Sequence, residues 1–147
     1  MNAAAPISLY SRARPRALVV ENDVELAPLL DLLLQGEAYD VTLVADGRQA
    51  MQAINRLAPP DLVLLETFLP YRGGFELLQQ IRSRANWDAV RVIMLSNNAG
   101  GTDALRARAG GADGCLVKPL RPEALLELLS QPTPWHAAPA EKRYAVA

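Results

Sequence analysis

The sequence predicts an α/β protein: a doubly wound parallel sheet of five strands in the order 2-1-3-4-5, covered by helices on both faces. Two observations predict the layers. Five short apolar runs alternate with five stretches in which Leu, Ile or Ala recur at helical spacing. The runs are nearly continuous in hydrophobicity instead of alternating with polar residues, the pattern of strands buried on both sides. A third consideration fixes the topology, since right-handed crossovers leave few arrangements of five parallel strands and this order is a common one.

The elements follow in turn. Residues 1–15 read as an N-terminal arm, and Arg12, Arg14 and Arg16 as a basic cluster with no acid beside it, expected to be solvated. Ala17 to Val20 form the apolar part of the first strand, which stops at Glu21, Asn22 and Asp23. Leu26, Leu29, Leu30 and Leu33 mark the first helix, with Asp23 placed to accept N–H bonds at its start and Pro28 tolerated only because it falls in the first turn. Gly36 ends that helix and Tyr39 to Val44 form the second strand. After the Asp46-Gly47 turn, Ala50, Ala53, Ile54 and Leu57 make a helical stripe that must stop before Pro59 and Pro60.

The third strand, Asp61 to Leu65, leads to Glu66, and Pro70 with Gly73-Gly74 turns the chain into a helix carrying Phe75, Leu77, Leu78 and Ile81. Val90 to Leu95 is the fourth strand and Ser96 follows it. Thr102 is expected to cap a short Ala/Arg helix that Gly110-Gly111 stops. Gly114 to Val117 is the fifth strand, Lys118-Pro119 comes next, and Leu125, Leu126, Leu128 and Leu129 mark the last helix. One domain over residues 16–131 accounts for these elements, with residues 132–147 as a Pro/Ala-rich tail or linker.

Composition excludes several classes. Fifteen basic against sixteen acidic residues give a formal charge of −1, so no global field draws nucleic acid, and no nucleic-acid partner is expected. No run approaches the roughly 20 apolar residues that span a bilayer, and the first sixteen residues hold no signal-like apolar stretch, so a cytoplasmic protein is expected. Cys115 is the only cysteine and cannot form an internal disulfide. His136 is the only histidine and falls in the tail, which leaves no histidine triad or His-rich metal site in the core. The first strand-to-helix turn, ENDVEL, holds no glycine and so no phosphate-cradling loop, and no enzyme is expected.

The five-strand order is that of flavodoxin-like (βα)5 folds, whose ligands bind beyond the carboxyl ends of the strands. Glu21, Asn22, Glu66, Ser96 and Lys118 all fall at those ends. Singly each is ordinary: a solvated strand end, a helix cap, a turn. The stretches ALVVEND, DLVLLETFLP with Gly73-Gly74, VIMLSN and GGADGCLVKP together resemble the CheY-like receiver domains of bacterial response regulators over roughly residues 16 to 131. GGADGCLVKP is the most specific of them.

The resemblance implies a switch of a two-component or phosphorelay system, phosphorylated by a histidine kinase. Its usual chemistry takes an acidic pair after the first strand to hold Mg²⁺, an aspartate nucleophile after the third, a hydroxyl after the fourth and a lysine after the fifth. Carboxylate attack on a phosphoryl group brings like charges together, and a hard cation with oxygen ligands has to neutralise them. Ser96 and Lys118 match this pattern. Glu66 stands at the phosphoacceptor position, one methylene longer than aspartate. Glu21 and Asn22 stand for the acidic pair, one charge short, with Asp23 beside them. Cys115 takes the place of the aromatic that moves with the hydroxyl, and reads otherwise as a small buried strand residue.

These departures lead to the expectation of a degenerate receiver, or pseudo-receiver, that acts by protein–protein contact without phosphorylation. Glu66 is expected to meet Lys118, Mg²⁺ binding is expected to be weak, and no cofactor is expected. The alternative is a working phosphoacceptor served by a histidine kinase and Mg²⁺. The resemblance further implies a Lys118-Pro119 bond that is cis, and a partner face of Arg106, Arg108, Leu116, Arg121 and Leu125 for a histidine kinase, an output protein or a second copy. Whether the chain is a whole protein or the receiver part of a longer one is left open.

Overall fold

The computed structural model describes residues 13–131 together with residues 143 and 144. Residues 1–12 and most of 132–147, with Arg12 and His136, lie outside the described residues.

The apolar runs become strands β1 (Arg16–Val20), β2 (Asp40–Val44), β3 (Leu62–Glu66), β4 (Arg91–Ser96) and β5 (Gly114–Val117). They form one parallel sheet in the order β2-β1-β3-β4-β5. The intervening helices are α1 (Leu26–Gly36), α2 (Gly47–Arg56), α3 (Gly74–Arg82), α4 (Thr102–Ala109) and α5 (Pro122–Leu129). A single 3-10 turn, Ala85–Trp87, precedes β4 and was not signalled by any periodicity in the sequence.

Because successive strand residues point to opposite faces, the sheet feeds two cores. Leu18, Val20, Val63, Leu65, Val92, Met94 and Cys115 pack against α2, α3 and α4. Ala17, Val19, Leu62, Leu64, Ile93, Leu95 and Leu116 pack against Leu30 and Leu34 of α1 and Leu125 and Leu128 of α5. Every residue of β3 is buried, Glu66 included, which explains why its run reads as continuously apolar.

Local chemistry sets the element ends. Asp23 accepts N–H bonds from Glu25 at 2.8 Å and Leu26 at 3.2 Å, so it closes a turn ahead of α1 and supplies the start signal read in the sequence. Asp46 caps α2 through the Gln49 N–H at 2.8 Å. The expected cap at α4 is corrected: Thr102 is the first helical residue, and Gly101, at φ 85°, holds the cap position without a side-chain bond. That backbone conformation suits glycine and strains a β-branched residue. The Arg16 side chain is exposed, and its guanidinium donates to the Pro59 carbonyl at 2.7 Å, tying β1 to the segment that leads into β3.

One close approach locks the end of β3. A Cβ at Gly74, the first residue of α3, would lie 2.1 Å from the Glu66 carbonyl oxygen. The second glycine of the pair therefore lets α3 start against the backbone that carries Glu66.

Candidate functional site

Parallel pairing brings the ends of β1, β3 and β5 to one edge of the sheet. The backbone N–H of Lys118 donates to the Ser96 carbonyl at 2.7 Å, and the Lys118-Pro119 peptide bond is cis. The lysine ammonium lies between two carboxylates: Nζ is 2.8 Å from Glu21 Oε1 and 2.6 Å from Glu66 Oε2. Glu21 Oε2 accepts the Asp23 N–H at 3.0 Å, and Glu66 Oε1 accepts the Phe68 N–H at 3.4 Å. All four carboxylate oxygens thus have a partner from this chain. The Glu21 side chain is 0% exposed, that of Glu66 2% and that of Lys118 13%.

Two acids and one base in this enclosed place carry a formal charge of −1, and the cost falls on Glu66. Burial pushes its pKa up, and Glu21 nearby pushes in the same direction, against the pull of Lys118. For Lys118, burial alone works to lower the value, but the bonds to both glutamates outweigh it and leave the pKa raised. Asp23 stays low because the Glu25 and Leu26 amides favour its charged form. Above the triad lies a cleft of about 300 Å³ lined by Asn22, Asp23, Glu66, Phe68, Asn97 and Lys118.

The residues present do not fit the Mg²⁺ that the resemblance implies. Mg²⁺ takes oxygen ligands in a near-octahedral shell at about 2.1 Å. Here Glu21 and Glu66 turn their inner oxygens onto Lys118. The Asp23 carboxylate holds two amides through Oδ1, and Asn22 is exposed. Among the described residues no group of three or more His, Cys, Asp or Glu could hold a metal ion.

The remaining expected site residues are placed differently. Ser96 is 0% exposed, and its hydroxyl donates to Asp103 Oδ2 at 2.6 Å while accepting the Asn98 N–H at 2.9 Å. It lines the loop and not the cleft. Cys115 is fully buried in the core beneath α4, and burial pushes its thiol up to about 12. Of the expected partner face, Arg106, Arg108 and Arg121 are exposed. Leu116 and Leu125 are not part of it: both point inward between the sheet and α5, at 2% and 0% exposure, and this corrects the expectation. Arg106 in turn lies over the Phe75 ring of α3 at 3.9 Å.

Two aspartates that sequence reasoning passed over organise the surroundings. Asp103, in the first turn of α4, takes the Ser96 hydroxyl; its place in a helix start reads in sequence as a response to the helix dipole. Asp113 accepts from Arg82 Nη2 at 3.0 Å and from the Val92 N–H at 2.9 Å, joining α3, β4 and the turn before β5. The Gly-Ala-Asp sequence was the available signal for it.

A 2-1-3-4-5 sheet whose carboxyl-end mouth joins acidic residues after β1 and β3 to a lysine after β5 defines a receiver-type α/β domain. Residues 17–130 match the family described as the response regulator receiver domain, and the chain belongs to that family. It is 35% identical over 113 residues to the DNA-binding response regulator MtrA of Mycobacterium tuberculosis, covering 77% of this chain and 48% of MtrA. A CpxR homolog of Haemophilus influenzae, a transcriptional regulatory protein, is 36% identical over 111 residues, covering 76% of this chain and 47% of its own. The chain thus spans about half the length of the curated relatives it matches.

Solved structures agree on the fold. The chemotaxis response regulator CheY4 of Vibrio cholerae superposes with a TM-score of 0.73 at 27% identity, over 80% of this chain and 97% of that one. The receiver domain of the sensor histidine kinase PA1611 of Pseudomonas aeruginosa, solved with a magnesium ion in its active-site cleft, gives 0.72 at 29% identity, over 86% and 100%.

Proposed function

We propose that this receiver is a pseudo-receiver: a signalling module of a bacterial two-component system that works by protein–protein contact without being phosphorylated, and without a cofactor. The observation that carries the reading is the closed triad, in which Lys118 holds Glu21 Oε1 and Glu66 Oε2 at 2.8 and 2.6 Å. A carboxylate that is to attack phosphorus needs a free oxygen and a cation shared with the incoming phosphoryl group. In this chain the lysine engages one oxygen of each acid directly, and a misplacement of about one C–C bond, roughly 1.5 Å, costs on the order of 10²-fold in rate. The buried Ser96 hydroxyl, already bonded to Asp103, is likewise committed elsewhere.

Arg106, Arg108 and Arg121 give the outer side of α4 and the start of α5 a positive edge for a cytoplasmic signalling partner with an acidic surface, a histidine kinase or an output protein. The test is intact-mass spectrometry after incubation with acetyl phosphate and millimolar Mg²⁺. The mass is expected to stay unchanged; a stable gain of one phosphoryl group located on Glu66 would establish the orthodox phosphoacceptor instead.

A further inference from the structure

Residues 143 and 144, from the stretch read in sequence as a Pro/Ala-rich tail or linker, lie against the turn that leads into β5. The Tyr144 hydroxyl donates to the Ala112 carbonyl, and its ring packs on the core that contains Ala112 and Cys115. Arg143 is 8% exposed, and its Nη1 donates to the Asp113 carbonyl at 3.2 Å. The guanidinium of Arg108, on α4, lies 5.8 Å from the centre of the Tyr144 ring, within cation–π range. Burial raises the Tyr144 phenol, as expected of a ring tucked under an exposed helix.

The receiving side is shaped for this contact. A Cβ at Gly114 would lie 2.6 Å from the Arg143 carbonyl oxygen, so only glycine lets the segment come this close. Gly111, at φ 91°, and Asp113, held by Arg82 and the Val92 N–H, fix the turn that presents the two carbonyls. β5 is an edge strand of the sheet, and edges left open are templates for another chain.

We propose that the corner formed by Arg108, Ala112, Asp113 and Gly114 is a docking site whose occupant is this chain's own Arg143–Tyr144 segment, a releasable latch over the start of β5. While the latch is closed, this part of the face made by α4 and β5 is not open to any other chain. The docking itself is independent of the phosphorylation reading above, because no residue of the triad takes part in it.

The experiment uses the full chain and its Tyr144→Ala variant, each labelled with ¹⁵N. Substitution is expected to move the amide resonances of Ala112, Asp113, Gly114 and Arg108 while leaving those of Glu21, Glu66 and Lys118 in place. A peptide of residues 141–147 added to the variant is expected to bind saturably and return those resonances towards their wild-type positions, and the same peptide with alanine for tyrosine is expected not to. From the receiving side, Gly114→Ala in the full chain is expected to expel Tyr144 and bring its phenol back to an ordinary titration. Unchanged resonances in Tyr144→Ala, or no rescue by the peptide, would overturn the proposal. Loss of the folded spectrum in Tyr144→Ala would overturn it too, since the segment would then be a fixed part of the core and not a latch.

Discussion

Replacing Lys118 by methionine keeps most of its length but leaves two buried carboxylates facing each other without a cation. Breaking a buried ion pair from one side typically costs about 3–5 kcal/mol. The triad also offers a way out, which bounds the loss. Glu66 can take up a proton, and from the ordinary value of 4.5 this costs about 3.4 kcal/mol at pH 7 and about 0.7 kcal/mol at pH 5, at about 1.4 kcal/mol per pH unit. Lys118→Met is therefore expected to lose about 3 to 5 kcal/mol at pH 7 and about 1 kcal/mol at pH 5. Against a total stability of about 5–15 kcal/mol the first figure brings the domain near unfolding. Urea denaturation of both proteins at the two pH values measures it. A loss below about 1 kcal/mol at pH 7, or one equal at both pH values, would refute the argument that the lysine supplies the counter-charge of the pair.

Four further outcomes follow from the same geometry. Glu66 has a raised pKa in the folded chain, so it takes up protons on folding and its contribution to stability is lost as pH rises above 4.5; Glu66→Gln is expected to flatten that slope in pH-dependent urea melts and to cost little at pH 7, because Glu21 still holds Lys118. Ser96→Ala removes the hydroxyl that accepts the Asn98 N–H and donates to the half-buried Asp103 carboxylate, and, because water can reach the exposed Asn98 loop, is expected to cost only about 0.5–1.5 kcal/mol in the same assay. Cys115, with its thiol pushed up to about 12 and no exposure, is expected to resist iodoacetamide at pH 8 until the protein is denatured, as peptide mapping would show. Gly74→Ala would press a methyl group onto the Glu66 carbonyl and is expected to destabilise by about 1–3 kcal/mol, read as a lowered Tm, with α3 displaced from the site.

The strands were legible because burial on both faces is written as continuous hydrophobicity. β5 was expected at its observed bounds, and β3 and β4 were each expected one residue early. That offset matters for Glu66, which ends a strand instead of following one and is correspondingly buried. The approach of Lys118 to Glu66 could be expected from the topology, whereas the part played by Glu21 could not. Its position suggests an outward-facing metal ligand, and only the path of the chain turns it inward onto the ammonium. The inward placement of Leu116 and Leu125 was hidden for the opposite reason: a leucine on a short edge strand or a leucine-rich helix does not declare which side meets the sheet. Arg143 and Tyr144 were missed because two residues after a proline-rich stretch have no period to read, and their contacts are made about thirty residues back along the chain.

The ammonium of Lys118 reaches from beyond β5 over the end of β4 to acids carried by β3 and β1. One edge strand is thereby fastened to the central strand β3 and to β1 beyond it, at the point where the backbone ladder ends with the Lys118 N–H bond to the Ser96 carbonyl. A strand at a sheet margin ordinarily opens first in local fluctuations. Here, opening β5 at this end would also strand two buried carboxylates, so the ion pairs couple the opening of the margin to the centre of the sheet.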